Sequence, residues 1–94
     1  RRPMIEVTIS QTELFEEEIE FQLEARDKKK LVGVVGTSNH VNPATNLVRI
    51  RPGESIKVPL KMDDDFHGSF EVRAGDPVTG VIYKTLNLKT DILN

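Results

Sequence analysis

Three consecutive carboxylates followed by a histidine, Asp63-Asp64-Asp65-Phe66-His67, form the cluster of this chain that could bind a metal. Hard oxygen donors of this kind suit Ca²⁺, which takes about six to eight of them, and Glu16 or Glu17 would add another. The spacing is not that of an EF-hand loop, where ligands alternate with other residues, and neighbouring turn residues point in different directions. Two histidines and a carboxylate would suit Zn²⁺ if His40 came beside His67, but nothing in the sequence brings them together. Asp63, Asp64, Asp65 and His67 therefore stand as metal candidates against a plainer alternative, a solvated acidic turn. No cofactor is expected.

The remaining chemical motifs are thinner. Gly33-Val34-Val35-Gly36-Thr37-Ser38 has the glycines of a phosphate loop but lacks the lysine and any following helix, so no dipole would back the nest. Glu18, Glu20 and Glu24 alternate along an extended run, which places them in water, where no pKa tuning for acid–base work is expected. There is no Gly-x-Ser-x-Gly elbow, and the absence of cysteine removes thiolate metal sites, thiol nucleophiles and disulfides. The expectation is that the chain is not an enzyme.

These residues must be positioned by strands. Ile5-Val7-Ile9, Ile19-Phe21-Leu23-Ala25, Ile56-Val58-Leu60-Met62 and Phe70-Val72-Ala74 each alternate apolar with polar, which sends one set of side chains to a core and the other to solvent. Seven strands are expected: Met4–Ser10, Glu18–Arg26, Leu31–Val35, Leu47–Arg51, Ser55–Met62, Ser69–Ala74 and Val81–Leu88. Between the first two, Leu14 and Phe15 are expected to plug the end of the fold. Pro52-Gly53-Glu54 signals a hairpin between the fourth and fifth strands. Pro59 removes a ladder donor, so the fifth strand should be bulged or unpaired on one side there. Glu13–Glu24 is rich in helix formers, but a helix would scatter Ile19, Phe21, Leu23 and Ala25 around its circumference. The strand is preferred.

With 94 residues there is room for one core, and 37% hydrophobic against 30% charged residues is the balance of a soluble module. The chain opens Arg1-Arg2-Pro3 rather than at Met, so it is expected to be one domain, residues 1–94, excised from a larger protein, with Lys89–Asn94 leading onward. The net charge of −2 and the scarcity of aromatics argue against nucleic acid as a partner. No apolar run approaches the roughly 20 residues of a membrane-spanning helix. Zero cysteine fits either a reducing or an oxidising compartment.

Seven strands at this spacing are similar to immunoglobulin-like and fibronectin-III-like sandwiches. Locally, Asp65-Phe66-His67-Gly68-Ser69-Phe70-Glu71-Val72-Arg73-Ala74 resembles the Asp…Gly-x-Tyr-x-Cys-x-Ala stretch leading into the sixth strand of immunoglobulin domains. Phe70 stands at the tyrosine position and Val72 at the cysteine position. The chain departs from the pattern in having no hydroxyl at residue 70, no cysteine in the second strand and no tryptophan in the third. The resemblance implies an antiparallel β-sandwich with the first, second, fifth and fourth strands in one sheet and the third, sixth and seventh in the other.

That partition has consequences for surfaces. Glu18, Glu20 and Glu24 would face Lys57 and Lys61 across neighbouring strands, with Arg49 and Arg51 one strand further out. Taken linearly, the four basic residues look like a phosphate-binding patch, but adjacent glutamates would cancel much of its field. The basic turn Arg26–Lys30 would lie at one pole, and the acidic turn Asp63–Asp65 with Glu13, Glu16 and Glu17 at the other. The apolar surplus of the third and seventh strands (Leu31, Val32, Val34, Val35; Val81, Ile82, Tyr83, Leu86, Leu88) exceeds what one core face can hold. Val32, Val34, Val81 and Tyr83 are accordingly the expected partner-contact residues. The expected function is a non-catalytic spacer or protein-contact module, engaging a protein partner or neighbouring domains of its own chain, with weak self-association through that face. The alternative is a Ca²⁺- or carbohydrate-binding sandwich using the acidic pole. No nucleic acid and no membrane insertion are expected.

Overall fold

A computed structural model describes residues 4–11 and 17–90, except for the side chains of residues 85–87, 89 and 90. The alternating runs become seven strands: β1 (Met4–Ser10), β2 (Ile19–Asp27), β3 (Lys30–Val35), β4 (Val48–Ile50), β5 (Ser55–Met62), β6 (Gly68–Gly75) and β7 (Ile82–Thr90). The described residues contain no helix. The expected plug of Leu14 and Phe15, together with Glu13 and Glu16, lies outside the described residues, as do the Leu86 side chain and residues 91–94.

Burial along β2 alternates from Ile19 to Ala25, with Phe21, Leu23 and Ala25 inside and Glu20 and Gln22 outside. That outcome decides the helix–strand competition in favour of the strand. Among the described residues fifteen buried apolar ones, from β1 to β6 and the loop residue Val41, form one cluster, with Val48, Val58, Leu60 and Met62 fully enclosed. A flat sheet cannot bring inner faces of so many strands together, so the all-β antiparallel sheet curls into a half-barrel around that cluster.

The order across the sheet is β1-β5-β3-β2-β6-β7, every neighbour antiparallel, with the short β4 paired to β2. The expected two-sheet partition is not what forms. Of its pairings only the sixth strand with the seventh is present; β5 pairs with β1 and β3 instead of β2 and β4. β2 is the hub, giving Ile19–Phe21 to β4, Gln22–Arg26 to β6 and Glu24–Asp27 to β3. The Pro52-Gly53 turn is made, with Glu54 N–H donating to Arg51 C=O at 3.1 Å, yet the strands it joins do not pair with each other. A turn motif reverses the chain; which strand edges meet afterwards depends on the rest of the core.

Two local features explain how β3 and β5 fit in the middle. In β3 the register to β2 slips by one residue, so Arg26 stands opposite Leu31 while Ala25 stands opposite Gly33. The bulge turns Val32 and Gly33 inward together and leaves Leu31 exposed. Gly33 faces Met62 across the ladder, and a Cβ there would sit 2.6 Å from the Met62 Sδ. Only a glycine allows that approach.

Pro59 sits opposite Glu6 in β1, and its carbonyl accepts from Gly36 N–H at 2.8 Å just past the end of β3. The missing donor therefore falls where the β3 ladder stops, and no bulge is needed.

Pairing through β2 also fixes which ends meet. The expected separation into a basic and an acidic pole is not realised. Asp63 N–H donates to Val32 C=O at 2.8 Å, and the Arg73 guanidinium donates to Lys28 C=O at 3.3 Å. The acidic β5–β6 turn and the basic β2–β3 turn thus share one end. Their fields largely cancel at a distance.

Candidate contact surface

The surface is built from the turn between β6 and β7. Asp76 opens it: its Oδ1 accepts from Val78 N–H at 2.8 Å and Thr79 N–H at 3.0 Å, the side-chain mimic of a backbone turn. Asp76 N–H donates to Val81 C=O at 2.8 Å, and Gly80 N–H to Asp76 C=O at 3.0 Å. The Thr79 hydroxyl accepts from Val81 N–H at 3.3 Å, and the Tyr83 hydroxyl donates to Asp76 Oδ2 at 3.0 Å.

These donors hold the Asp76 carboxyl below its ordinary range, the Thr79 and Val78 amides contributing most. Partial desolvation, then the Asp76 carboxylate, raise the Tyr83 phenol above its own. At Gly75 a Cβ would meet Val81 C=O at 2.9 Å and Ile82 Cδ1 at 3.2 Å, so the strand end can lie close against the turn only without a side chain there.

What this scaffold presents is apolar. Val78 is 91% exposed, Val81 57%, Ile82 49% and Tyr83 37%, four large residues within six positions. Chemically the surface can bury area against a partner, and the ionisable groups Asp76 and Tyr83 are bonded to each other within it. Of the four sequence-expected contacts, Val81 and Tyr83 lie here. Val32 does not: it is 1% exposed in the core, because the β3 bulge turns it inward. Val34 is half-buried between Lys61 of β5 and Glu24 of β2, with two strands, β2 and β6, between it and β7, because β3 pairs with β2 rather than β6. Val78 was not among the expected contacts. Its signal was an apolar residue amid the turn residues Asp76, Pro77, Thr79 and Gly80.

The charged residues are arranged structurally. Arg49 reaches Glu20 at 3.2 Å and Glu18 at 3.6 Å, and Arg51 reaches Glu18 at 3.5 Å, since β4 lies directly beside β2. Lys57 and Lys61 stand on β5 opposite Thr8 and Met4, so the four basic residues form no common patch and the expected Glu–Lys pairing is replaced by Glu–Arg. On the outer face of β2 and β6, Glu24 stands opposite Arg73 and Arg26 opposite Glu71. Within each strand Arg26 binds Glu24 at 2.8 Å and Arg73 binds Glu71.

The two arginines also hold turn carbonyls, at Lys29 and Lys28, along the wall of an open groove of about 740 Å³ floored by Phe70 and Leu88. With their charges already matched, they offer no uncompensated anion site.

Asp63, Asp64, Asp65 and His67 are all exposed on the β5–β6 turn. Among the described residues no three His, Asp or Glu side chains come together in a way that could hold a metal ion. His40 lies beside β4, its carbonyl accepting from Arg49 N–H at 2.8 Å, on a different element from His67. Among the described residues no helix is long and apolar enough to cross a membrane. Comparison with known protein families, with curated proteins and with solved structures returns no match to this chain.

Proposed function

We propose that this chain is a non-catalytic protein-contact module whose partner docks on the β6–β7 turn at Val78, Val81, Ile82 and Tyr83. One observation carries the reading: four large apolar side chains are exposed within six positions, on and just after a turn held by hydrogen bonds to Asp76. Apolar surface of this kind marks contact sites. A turn already held by Asp76 loses little conformational freedom on binding, so more of the buried area appears as affinity. The partner is another protein or a neighbouring domain of the same chain. The immunoglobulin-like or fibronectin-III-like sandwich remains the finer fold reading; seven strands and the β6–β7 pairing favour it, and the order of the other five departs from it.

The test compares affinity capture by the wild type with capture by Val78→Glu and Ile82→Glu. Both side chains are at least half exposed or nearly so, and both variants should keep the wild-type melting temperature. A protein held by the wild type and released by both folded variants supports the reading. Identical capture by all three removes this surface.

A further inference from the structure

The two ends of the sheet are open in a way that fits them to each other. Among the described residues β1 pairs only with β5, and β7 only with β6. Gln11 N–H donates to Glu54 C=O at 2.9 Å, at the position where the β1–β5 register continues. Hydrogen-bonded and non-bonded pairs alternate in an antiparallel ladder. Ile9, Val7 and Ile5 therefore direct their backbone groups to β5, whereas Ser10, Thr8, Glu6 and Met4 direct theirs outward. Pro59 opposite Glu6 agrees, since that pair needs no donor from residue 59.

The β1 edge is seven residues long, with no proline, no bulge and one charge, Glu6. Such an edge is a template for another strand. β7 is nine residues long, has no proline and carries Lys84 and Lys89 as its charges.

We infer that a second copy of this chain adds its β1 edge to the β7 edge of the first, extending the sheet from molecule to molecule. Three observations favour this occupant. Six strands alternate in direction across the sheet, so the β1 of a following copy meets β7 antiparallel, as every other neighbouring pair does. The charges are complementary: β1 against β1 would confront glutamates and β7 against β7 would confront lysines, whereas β1 against β7 pairs Glu6 with lysine.

Parity then selects the register. Glu6, exposed on the outer face, lies on the row of Pro59, and Lys89 stands in register with Ser69, which is exposed on the same face. Placing Glu6 opposite Lys89 sets Val7 opposite Leu88 and keeps the inner apolar rows continuous; placing it opposite Lys84 would cross the faces. Ile5, Ile9 and Leu88, all half-buried against the core edge, would gain cover. The contact is heterologous, so each added copy leaves one β1 and one β7 edge open, and the product is a growing series rather than a closed dimer.

Sedimentation velocity of the intact chain over a wide concentration range tests this. The wild type should show a weight-average coefficient rising continuously with concentration. Thr8→Pro removes an outward N–H while keeping the β1–β5 ladder, and should be monomeric with a native circular dichroism spectrum.

Glu6→Lys and Lys89→Glu should each weaken association about three- to tenfold, the range expected for converting an attractive cross-strand pair to a repulsive one. The charge-swapped double variant should recover it, which a merely unfolded protein could not do. A wild type that stays strictly monomeric, or a folded Thr8→Pro that associates as the wild type does, overturns the inference. Val78→Glu separates this contact from the proposed partner surface. Unchanged self-association in that variant supports the edge contact, and its loss there with retention in Thr8→Pro would move self-association to the β6–β7 turn.

Discussion

Gly33 and Met62 give the sharpest check on the strand order, because the order alone makes them neighbours. A Cβ on residue 33 would lie 2.6 Å from Met62 Sδ, 3.1 Å from Ala25 Cβ and 3.2 Å from Lys61 C=O. The sulfur must retreat by about 1 Å inside a core where Met62 is fully buried, and Ala25 and the Lys61 backbone close the other sides. Overpacking of this kind costs about 1–3 kcal/mol. Against it, replacing a glycine whose φ an alanine can adopt gains about 0.4–1 kcal/mol through the unfolded chain. Gly33→Ala should therefore destabilise by about 1–2 kcal/mol, a fall in melting temperature of roughly 4–15 °C for a domain of this size.

Met62→Ala should cost about 2–5 kcal/mol through lost burial and a cavity. In that background the methyl at residue 33 enters vacated space, so the second substitution becomes neutral or slightly stabilising. The coupling is then about 1–3 kcal/mol, in the sense of mutual rescue. Urea unfolding followed by far-ultraviolet circular dichroism on all four proteins measures it, with unchanged m-values as the check on two-state behaviour. Additivity within about 0.5 kcal/mol would refute the reasoning, and with it the pairing of β3 to β5.

Gln11 and Asp76 yield two further expectations. Gln11 is buried, its Nε2 donates to Ile50 C=O at 3.1 Å, and its Oε1 has no partner among the described residues. Gln11→Met gives up a bond worth about 1 kcal/mol and removes an unsatisfied oxygen costing about 1–3 kcal/mol, so it should be neutral or stabilising in the same urea assay. Asp76 has its carboxyl held low in the folded protein, so its contribution is present above the unfolded value and is lost as pH falls through the folded one. Melting temperatures of wild type and Asp76→Asn should accordingly differ at neutral pH and converge at the acid extreme. Tyr83 works in the opposite sense: its raised phenol adds stability below the unfolded value that is lost as pH rises through the folded one.

The strands themselves were legible because their signal is local. Alternation at Phe21, Leu23 and Ala25, or at Ile56, Val58, Leu60 and Met62, needs only a two-residue pleat and one wet face. The β6–β7 turn was equally readable, since Asp76, Pro77 and Gly80 act within a few bonds of one another. Part of the exposed apolar surface was visible for the same reason: Val81 and Tyr83 belong to a run with more apolar residues than one inner face can hold.

What tertiary structure decided was which edges meet. Backbone ladders are nearly blind to side-chain identity, so β5 carries no mark choosing β1 and β3 over β2 and β4. The choice rests on how the inner faces pack together, including the unoccupied space at Gly33 that admits Met62. From that choice follow the burial of Val32, the isolation of Val34, the pairing of Arg49 with Glu18 and Glu20, and the meeting of acidic and basic turns at one end. Each is a relation between residues far apart in the chain, and only closing the sheet around a common core brings such residues together.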